Sequence, residues 1–261
     1  MSKVKETPVR TLLVALVLCL VCSVLVSGAA LILRPLQLEN SQVDRQRAVL
    51  AVAGLWEPGM STNDVRRIFA ERVSPRLVDL RTGQFSEDFD PLSFEQTRAA
   101  RDPELSRALT EEEDIASIRR REHYAVVYRI EQGGQLQRLV LPVRGYGLWS
   151  TLHGFLALEP DLDTVAGIGF YQHAETPGLG GEVDNPNWQA KWVGKKVYAD
   201  GQPALRIIKG TVDARSPDAE HQVDAIAGAT LTGKGVTNLV RFWLGEEGIA
   251  PFLRKLAAGE A

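Results

Sequence analysis

Cysteine is nearly absent from this sequence. The 261 residues include only Cys19 and Cys22, and both lie inside one long apolar run near the N-terminus. The remainder of the chain therefore has neither disulfide bonds nor thiol catalysis. Because the two cysteines are three residues apart, they share one face of a helix. They are interpreted as small apolar packing residues, with a metal shared with another polypeptide as the alternative.

Patterns for metal and nucleic-acid binding are also missing. The histidines do not have the spacing of metal ligands, and no role is assigned to any of them: His123, His153, His173 and His221. The net charge is -3 and the pI is about 5.9. No basic stripe is present, so a nucleic-acid partner is not expected. The sequence predicts no metal site and no catalytic residue in this chain.

The most prominent feature that is present is an uncharged apolar run over residues 11–33. As a helix it would be about 34 Å long, which matches the ~30 Å hydrocarbon core of a bilayer with a little tilt. A cleaved signal peptide is the alternative, since residues 27–30 are small and resemble a cleavage site. The run is longer than a signal core usually is, which favours a retained transmembrane helix.

Basic residues predict the orientation of this helix. Lys3, Lys5 and Arg10 precede the run, whereas only Arg34 follows it closely. Lysine and arginine near a first span tend to remain in the cytoplasm. The sequence therefore predicts a single-pass protein of the cell inner membrane. Residues 1–10 are cytoplasmic, and everything after Arg34 lies on the periplasmic side.

Residues 34–122 are predicted to form a helical, charge-rich region near the membrane. A helix is expected over residues 38–56, and Asn63 or Asp64 is expected to cap a short helix that ends near Val73. Residues 95–122 carry runs of acidic and basic side chains. They are interpreted as solvated helix faces, with a docking surface as the alternative.

Residues 123–261 are predicted to form one domain. Two alternating apolar segments, 123–130 and 136–143, flank a glycine turn and predict a β-hairpin. Further strands are expected at 154–158, 164–171 and 205–208. A helix is expected from Thr232 on a clear apolar stripe, followed by a short helix over 249–256. The predicted fold class is α+β, an antiparallel sheet with helices before and after it.

Three glycine-rich segments stand out in this domain: residues 144–150, 175–181 and 224–233. Each alone is explained as a turn. Together they place three loops at the ends of strands or helices, where ligands are usually held. The third segment opens the last helix, and a helix N-terminus is a natural seat for phosphate.

The third segment nearly matches a nucleotide P-loop. Residues 228–235 fit the pattern Gly-x4-Gly-Lys-[Ser/Thr] except at its last position. Gly235 has no hydroxyl to hold Mg2+. ATP binding is therefore not expected.

The same segment has a closer resemblance. The pattern from Asp224 through Gly-Ala-Thr at 228–230 resembles the flavinylation motif of the FMN-binding domain in NqrC, a component of sodium-translocating NADH:quinone reductases. The related RnfG component of the Rnf complex has this domain too. Leu-Trp-Ser at 148–150 and Gly-Gly-Glu-Val-Asp-Asn-Pro at 180–186 favour the sodium-pump component. The similarity covers the membrane helix and nearly everything after His123.

Two positions depart from the family pattern. Ala227 stands where serine or threonine is usual before Gly-Ala-Thr, and Ala225 stands where glycine is common. The change at Ala227 removes one hydrogen bond to the cofactor, which is worth about 1 kcal/mol. A covalent ester does not depend on that bond.

The resemblance implies that FMN is bound through a phosphoester to Thr230. A separate flavin transferase attaches it with FAD and Mg2+. Thr232 would cap the helix and donate to a phosphate oxygen, and Lys209 would be a counter-charge, with a solvated lysine as the alternative. Leu148 and Trp149 are also expected to contact the cofactor, with packing in the core as the alternative. For Glu175, the alternative is a local cap. The cofactor contacts implied besides Thr230 are Gly228, Ala229, Leu231, Thr232, Glu175, Thr176, Leu148, Trp149 and Lys209.

The function implied is an electron relay. In this family the protein passes electrons from a membrane iron–sulfur centre toward the FMN of NqrB. The six-subunit complex, in which NqrB, NqrD and NqrE are the main partners, couples NADH oxidation and quinone reduction to Na+ export. The chain is not catalytic alone. The alternatives are an RnfG-type component, a membrane-tethered flavin sensor and a flavin-free structural protein.

Overall fold

The structure is a computed structural model that describes residues 7–261. Lys3 and Lys5, on which the predicted orientation partly depends, lie outside the described residues. The chain divides into two units, Met1–Asp44 and Arg45–Ala261.

The first unit consists of most of helix α1, which runs over Pro8–Val52. The apolar side chains between residues 9 and 38 are exposed, with Leu12 71% exposed. A helix that is apolar all round is either buried or spans a membrane. By length and composition, α1 is the one helix among residues 7–261 that is suited to cross a bilayer. The sequence predicted two separate helices, before and after residue 35. The structure shows one continuous helix instead, with Pro35 inside α1.

The second unit contains all the other elements. The helices are α2 (Thr62–Arg72), α3 (Gln96–Ala99), α4 (Pro186–Gln189), α5 (Thr230–Trp243) and α6 (Ala250–Ala258). The strands are β1 (Val73–Asp79), β2 (Gln84–Ser86), β3 (Ser106–Ala108), β4 (Arg120–Glu122), β5 (Tyr124–Gln132), β6 (Gln135–Tyr146), β7 (Thr151–Leu158), β8 (Val165–Gln172), β9 (Tyr198–Ala199), β10 (Gln202–Pro203), β11 (Arg206–Ile207) and β12 (Gln222–Val223).

A six-stranded antiparallel sheet organises this unit, in the order β2-β1-β5-β6-β7-β8. Its middle strands are rich in β-branched and aromatic residues, and β5 is buried along most of its length. Helix α5 packs against β6 with its apolar stripe, in which Val236, Leu239 and Val240 are fully buried. These findings confirm the predicted α+β class with an antiparallel sheet and flanking helices.

The region predicted to be helical over residues 34–122 also contributes strands. β1 follows α2 directly and pairs with β5, so the sheet begins before residue 123. The sequence did not indicate this strand, because Pro75 and charged residues interrupt its apolar alternation. Pro75 is accommodated because β1 pairs along its full length with β5 alone. On its other side, β2 pairs only with residues 77–79 and leaves the edge at Pro75 unpaired.

The prediction of solvated helix faces for the charge-rich stretch 95–122 was wrong about helices, since the structure has one short helix there, α3, and it was only partly right about solvation, since Glu111 and Glu112 are exposed but other charged residues are buried. Glu122 is fully buried and Arg121 is only 5% exposed. The Glu122 carboxylate accepts hydrogen bonds from Arg144 at 2.5 Å and from Gln96 at 3.0 Å. Charge alone did not reveal these partners, because they come from distant parts of the chain.

Candidate functional site

The three glycine-rich segments meet at one buried carboxylate. Glu175, 5% exposed, follows the end of β8 and lies between the other two segments. Its carboxylate accepts the backbone N–H groups of Leu148, Trp149 and Ser150 at 3.0–3.2 Å. It also accepts the hydroxyl of Thr232 at 2.7 Å. One side chain therefore joins the β6–β7 loop to the first turn of α5.

These contacts determine the protonation state of Glu175. Burial raises the pKa of the carboxyl, but the hydrogen bonds from Thr232 and from the three loop amides outweigh it. The net effect is a pKa below the usual value for glutamate. The group is therefore ionised at neutral pH and accepts all four hydrogen bonds as a carboxylate.

Glycine is required where the segments touch. A Cβ on Gly180 would lie 2.6 Å from Thr232 Oγ1 and 2.7 Å from Glu175 Oε2. On Gly235, in α5, it would lie 2.4 Å from the carbonyl oxygen of Tyr146. These distances are far below van der Waals contact, so the glycines permit the close approach of the three backbones.

Thr232 does not cap α5, so this part of its predicted role was wrong. Its side chain is fully buried, and its hydroxyl donates to Glu175 rather than capping the helix. The N-cap residue of α5 is Ala229, whose side chain makes no capping hydrogen bond. The first amides of α5 thus lack a side-chain acceptor at the cap position.

Thr230 is the first residue of α5 and is exposed. Gly228 precedes it with a φ of +73°, a left-handed conformation that glycine adopts without strain. Ala229 is buried at 5% exposure. The sequence Gly-Ala-Thr therefore turns the chain and presents the Thr230 side chain to solvent at the helix N-terminus.

Large apolar side chains on the same three segments are exposed. Trp149 is 66% exposed and Leu231 is 58% exposed. Leu148, Leu179 and Tyr146 are between 38% and 45% exposed. Leu179 lies against Gly228, where an added Cβ would be 2.8 Å from Leu179 Cδ2. Exposure of this many apolar groups on adjoining loops is typical of a binding surface. Core packing, the alternative considered for Leu148 and Trp149, does not describe them.

Asp224 links the third glycine-rich segment to neighbouring parts of the chain. Its carboxylate accepts the N–H of Val212 at 2.8 Å and the ammonium of Lys191 at 2.6 Å. Burial raises the pKa of Asp224, but the hydrogen bonds from Lys191 and Val212 lower it by more. The pKa therefore lies below the usual value for aspartate. The backbone carbonyl of Asp224 accepts the indole N–H of Trp188. The motif's aspartate thus anchors the loop to its neighbours.

The remaining predicted contacts lie at the edge of this site. Thr176 is exposed, and its carbonyl accepts the N–H groups of Leu179 and Gly181. Lys209 is exposed and precedes Gly210, whose carbonyl accepts the N–H of Ala225.

Two residues that flank the second segment, His173 and Asp184, were not predicted from the sequence to have a role at this site. His173 was missed because histidines were considered only as metal ligands. The signal that could have found His173 is its position two residues before Glu175.

Comparison with known proteins agrees with the site geometry. The family model for the FMN-binding domain matches residues 147–245, which include the second and third segments and the last four residues of the first. The corresponding protein of Pseudomonas aeruginosa, the C component of its Na+-translocating NADH-quinone reductase, is 60% identical over 258 residues, 98% of this chain and 99% of that one. The chain belongs to the NqrC family of Na+-translocating NADH-quinone reductase components.

Other members of the NqrC family support this assignment. The Yersinia pestis relative is 49% identical over 96% of this chain and 93% of its own length. The crystal structure of Shewanella oneidensis NqrC matches with a TM-score of 0.78 and 39% identity, covering 84% of this chain and 99% of that one. The resemblance stated from the sequence is confirmed, and the RnfG-type alternative is set aside.

Proposed function

We propose that the chain carries FMN as a phosphoester on Thr230 and relays electrons within a Na+-translocating NADH-quinone reductase. The observation that carries this proposal is the contrast between two threonines in one helical turn. Thr230 is exposed, whereas Thr232 is fully buried with its hydroxyl bound to Glu175. A transferase from outside reaches the first hydroxyl and not the second.

The start of α5 suits a phosphate group. The first N–H that closes a backbone helical bond at this end is that of Gly233, which donates to Ala229. The preceding amides of the first turn are therefore open to a ligand, and the helix dipole favours a negative charge there. Ala227 supplies no hydroxyl, so in this chain the nearest phosphate contacts are backbone groups and the ester itself.

The exposed apolar side chains suit the flavin ring. Trp149, Leu148 and Leu179 lie on the two loops that Glu175 and the glycines bring against the start of α5. Leu231 is the neighbour of the attachment point. Thr176 and Lys209 are assigned to the polar edge, as contacts for the ribityl chain and phosphate. The two Glu175 oxygens are engaged by protein donors, so we assign Glu175 to hold the loops.

When bound, FMN supplies the redox chemistry, and the protein binds and orients it. We propose that electrons arrive from a membrane iron–sulfur centre and leave toward the FMN of NqrB, with NqrD and NqrE as further neighbours. We also propose that residues 1–10 are cytoplasmic, 11–33 span the inner membrane, and the FMN-binding domain is periplasmic. This domain comprises 123–261, completed by the strands of 34–122 that enter its sheet.

The attachment is tested on the full chain produced together with a flavin transferase. We expect a fluorescent band after denaturing electrophoresis and an intact mass increased by FMN less one water. Thr230→Ser keeps a hydroxyl and should still be modified, whereas the isosteric Thr230→Val should not. An unmodified wild-type chain beside an active transferase would refute the proposal, as would modification that persists in Thr230→Val.

Orientation needs a separate experiment. Alkaline phosphatase fused after Ala261 is active only when it is exported, and green fluorescent protein fused there is fluorescent only in the cytoplasm. We expect active phosphatase and a dark fluorescent protein. The opposite pair of results would reverse the proposed topology without affecting the ester on Thr230.

A further inference from the structure

His173 lies two residues before Glu175 and contacts it through the backbone. Its Nδ1 atom accepts the N–H of Glu175 at 3.2 Å. Its Nε2 atom is 2.7 Å from Asp184 Oδ2. The imidazole is largely enclosed, with 12% of its side chain exposed. Both ring nitrogens are therefore engaged by residues in and next to the second glycine-rich segment.

The two contacts define one tautomer. A ring nitrogen that accepts from an N–H carries no proton, so Nδ1 is unprotonated and the proton is on Nε2. Asp184 accepts that proton's hydrogen bond and selects this tautomer. If the tautomer were reversed, an N–H would face the N–H of Glu175 and a lone pair would face a carboxylate. The pair thus forms a directed chain from Asp184 through His173 to the Glu175 backbone.

The hydrogen bonds from Asp184 through His173 to Glu175 lie where they can affect the site. His173 lies two residues before the second glycine-rich segment, and Asp184 lies three residues after it, in a short 3-10 helix, Gly180–Asp184. That helix begins with Gly180, where an added Cβ would collide with both Thr232 and the Glu175 carboxylate. The contact with Asp184 therefore fixes the tautomer of His173, while the contact with the Glu175 N–H sets the direction in which the Glu175 side chain leaves the backbone.

We propose that His173, held in its Nε2–H tautomer by Asp184, is a positioning residue that aims the Glu175 carboxylate and thereby holds the flavin-bearing turn of α5 against the Leu148–Ser150 loop. The consequence of this inference for FMN rests on the proposed function. The effect of His173 on Glu175 and the loops does not. His173 acts through Glu175 and does not itself contact the cofactor.

Two substitutions separate the contacts of His173. His173→Asn places an amide oxygen where Nδ1 was, and asparagine commonly accepts the N–H two residues later. His173→Gln keeps a donor near Asp184 but removes the acceptor for Glu175. His221→Gln is a matched control, since His221 is also a buried histidine with an Nδ1 contact, to the Lys196 carbonyl.

The main readout is hydrogen–deuterium exchange of the full chain, followed by mass spectrometry of peptides that cover residues 148–150. The amides there bind Glu175 but lie more than 20 residues from His173 in the sequence. We expect His173→Gln to speed their exchange about tenfold, the equivalent of one lost hydrogen bond. His173→Asn should leave it within about twofold of wild type, and peptides from β5 should not change.

A second readout uses the attached flavin. We expect the visible spectrum and fluorescence yield of FMN on Thr230 to change in His173→Gln and to return to wild-type values in His173→Asn. Unchanged exchange at 148–150 in His173→Gln would overturn the proposal. Equal acceleration in His173→Asn, or in His221→Gln, would also overturn it, by showing loss of packing or of general stability. Because exchange is measured with or without flavin, a chain that lacks FMN would refute only the proposed function.

Discussion

The carboxylate of Glu175 can be tested quantitatively with a double-mutant cycle. Glu175→Gln keeps the shape of the side chain but replaces one acceptor oxygen with an N–H2 donor. Thr232→Val removes the hydroxyl that donates to Glu175 at 2.7 Å. Hydrogen bonds to charged groups are worth about 1.5–3 kcal/mol, and both residues are buried. We expect each single change to lower the free energy of unfolding by about 1–2 kcal/mol.

The coupling between the two changes is the decisive quantity. If the hydroxyl and the carboxylate stabilise the fold through each other, the double variant loses less than the sum of the singles, with a coupling of at least ~1 kcal/mol. Glu175→Ala should be worse, by about 3–5 kcal/mol, because it also leaves three loop amides without their acceptor.

The coupling should also depend on pH. The folded pKa of Glu175 is lowered below its ordinary value of 4.5, since its hydrogen bonds outweigh the effect of burial. The folded chain therefore remains ionised where the unfolded chain takes up a proton. The stabilisation is fully present above about pH 4.5 and is lost as the pH falls through the lower folded pKa.

Equilibrium unfolding of the full chain in mild detergent measures these energies. The five tryptophans all follow residue 45, so their fluorescence reports on the second unit. Urea unfolding at pH 7 for the wild type, the two single variants and the double variant gives the cycle. Additivity within about 0.5 kcal/mol would mean that Glu175 and Thr232 do not act as one unit, and would refute this explanation of how the loops are joined.

Three further predictions concern single positions. Burial and the charge of Arg144 lower the pKa of His153 to about 4. The unfolded chain therefore takes up a proton first, and the free energy of unfolding should fall by about 2 kcal/mol from pH 6.5 to 5. In urea titrations, His153→Gln should flatten this pH dependence. Gly233→Ala should raise the free energy of unfolding by about 0.5–1 kcal/mol, since a Cβ there meets nothing closer than 3.5 Å. Gly235→Ala, two residues later, should lower the melting temperature and expose the loops to proteolysis, because its Cβ would strike the Tyr146 carbonyl; similar behaviour of the two alanine variants would contradict this packing.

The sequence predicted those parts of the fold that carry a strong local pattern. The β5–β6 hairpin has apolar alternation around Gly133 and Gly134, and the prediction was right to within a few residues. Helix α5 begins two residues before the predicted Thr232, because its first turn contains Thr230 and Leu231 of the third glycine-rich segment and does not belong to the apolar stripe. β1 and β4 were missed, since their place in the fold depends on partners well separated in the sequence.

The candidate site was only partly predictable for the same reason. The motif located the three glycine-rich segments, and the structure brings them together around Glu175. No local pattern indicated that Thr232 would be buried, nor that Glu175 would bind loop amides. Such roles arise from tertiary contacts between residues 25 to 57 positions apart. The contacts of His173 span only 2 and 11 positions, but no sequence pattern indicated that its ring would meet Asp184.

The order of the segments along the chain has a consequence for biosynthesis. The Glu175 carboxylate receives its Thr232 hydrogen bond only after α5 has been synthesised, and α5 is followed by α6 alone among the helices of residues 7–261. Long-range contacts of this kind also form late in folding. A nascent or half-folded chain therefore does not present the assembled threonine turn, so a transferase that requires this turn would modify only finished molecules. Attachment of the cofactor would then report that the domain has folded, before the protein joins its complex.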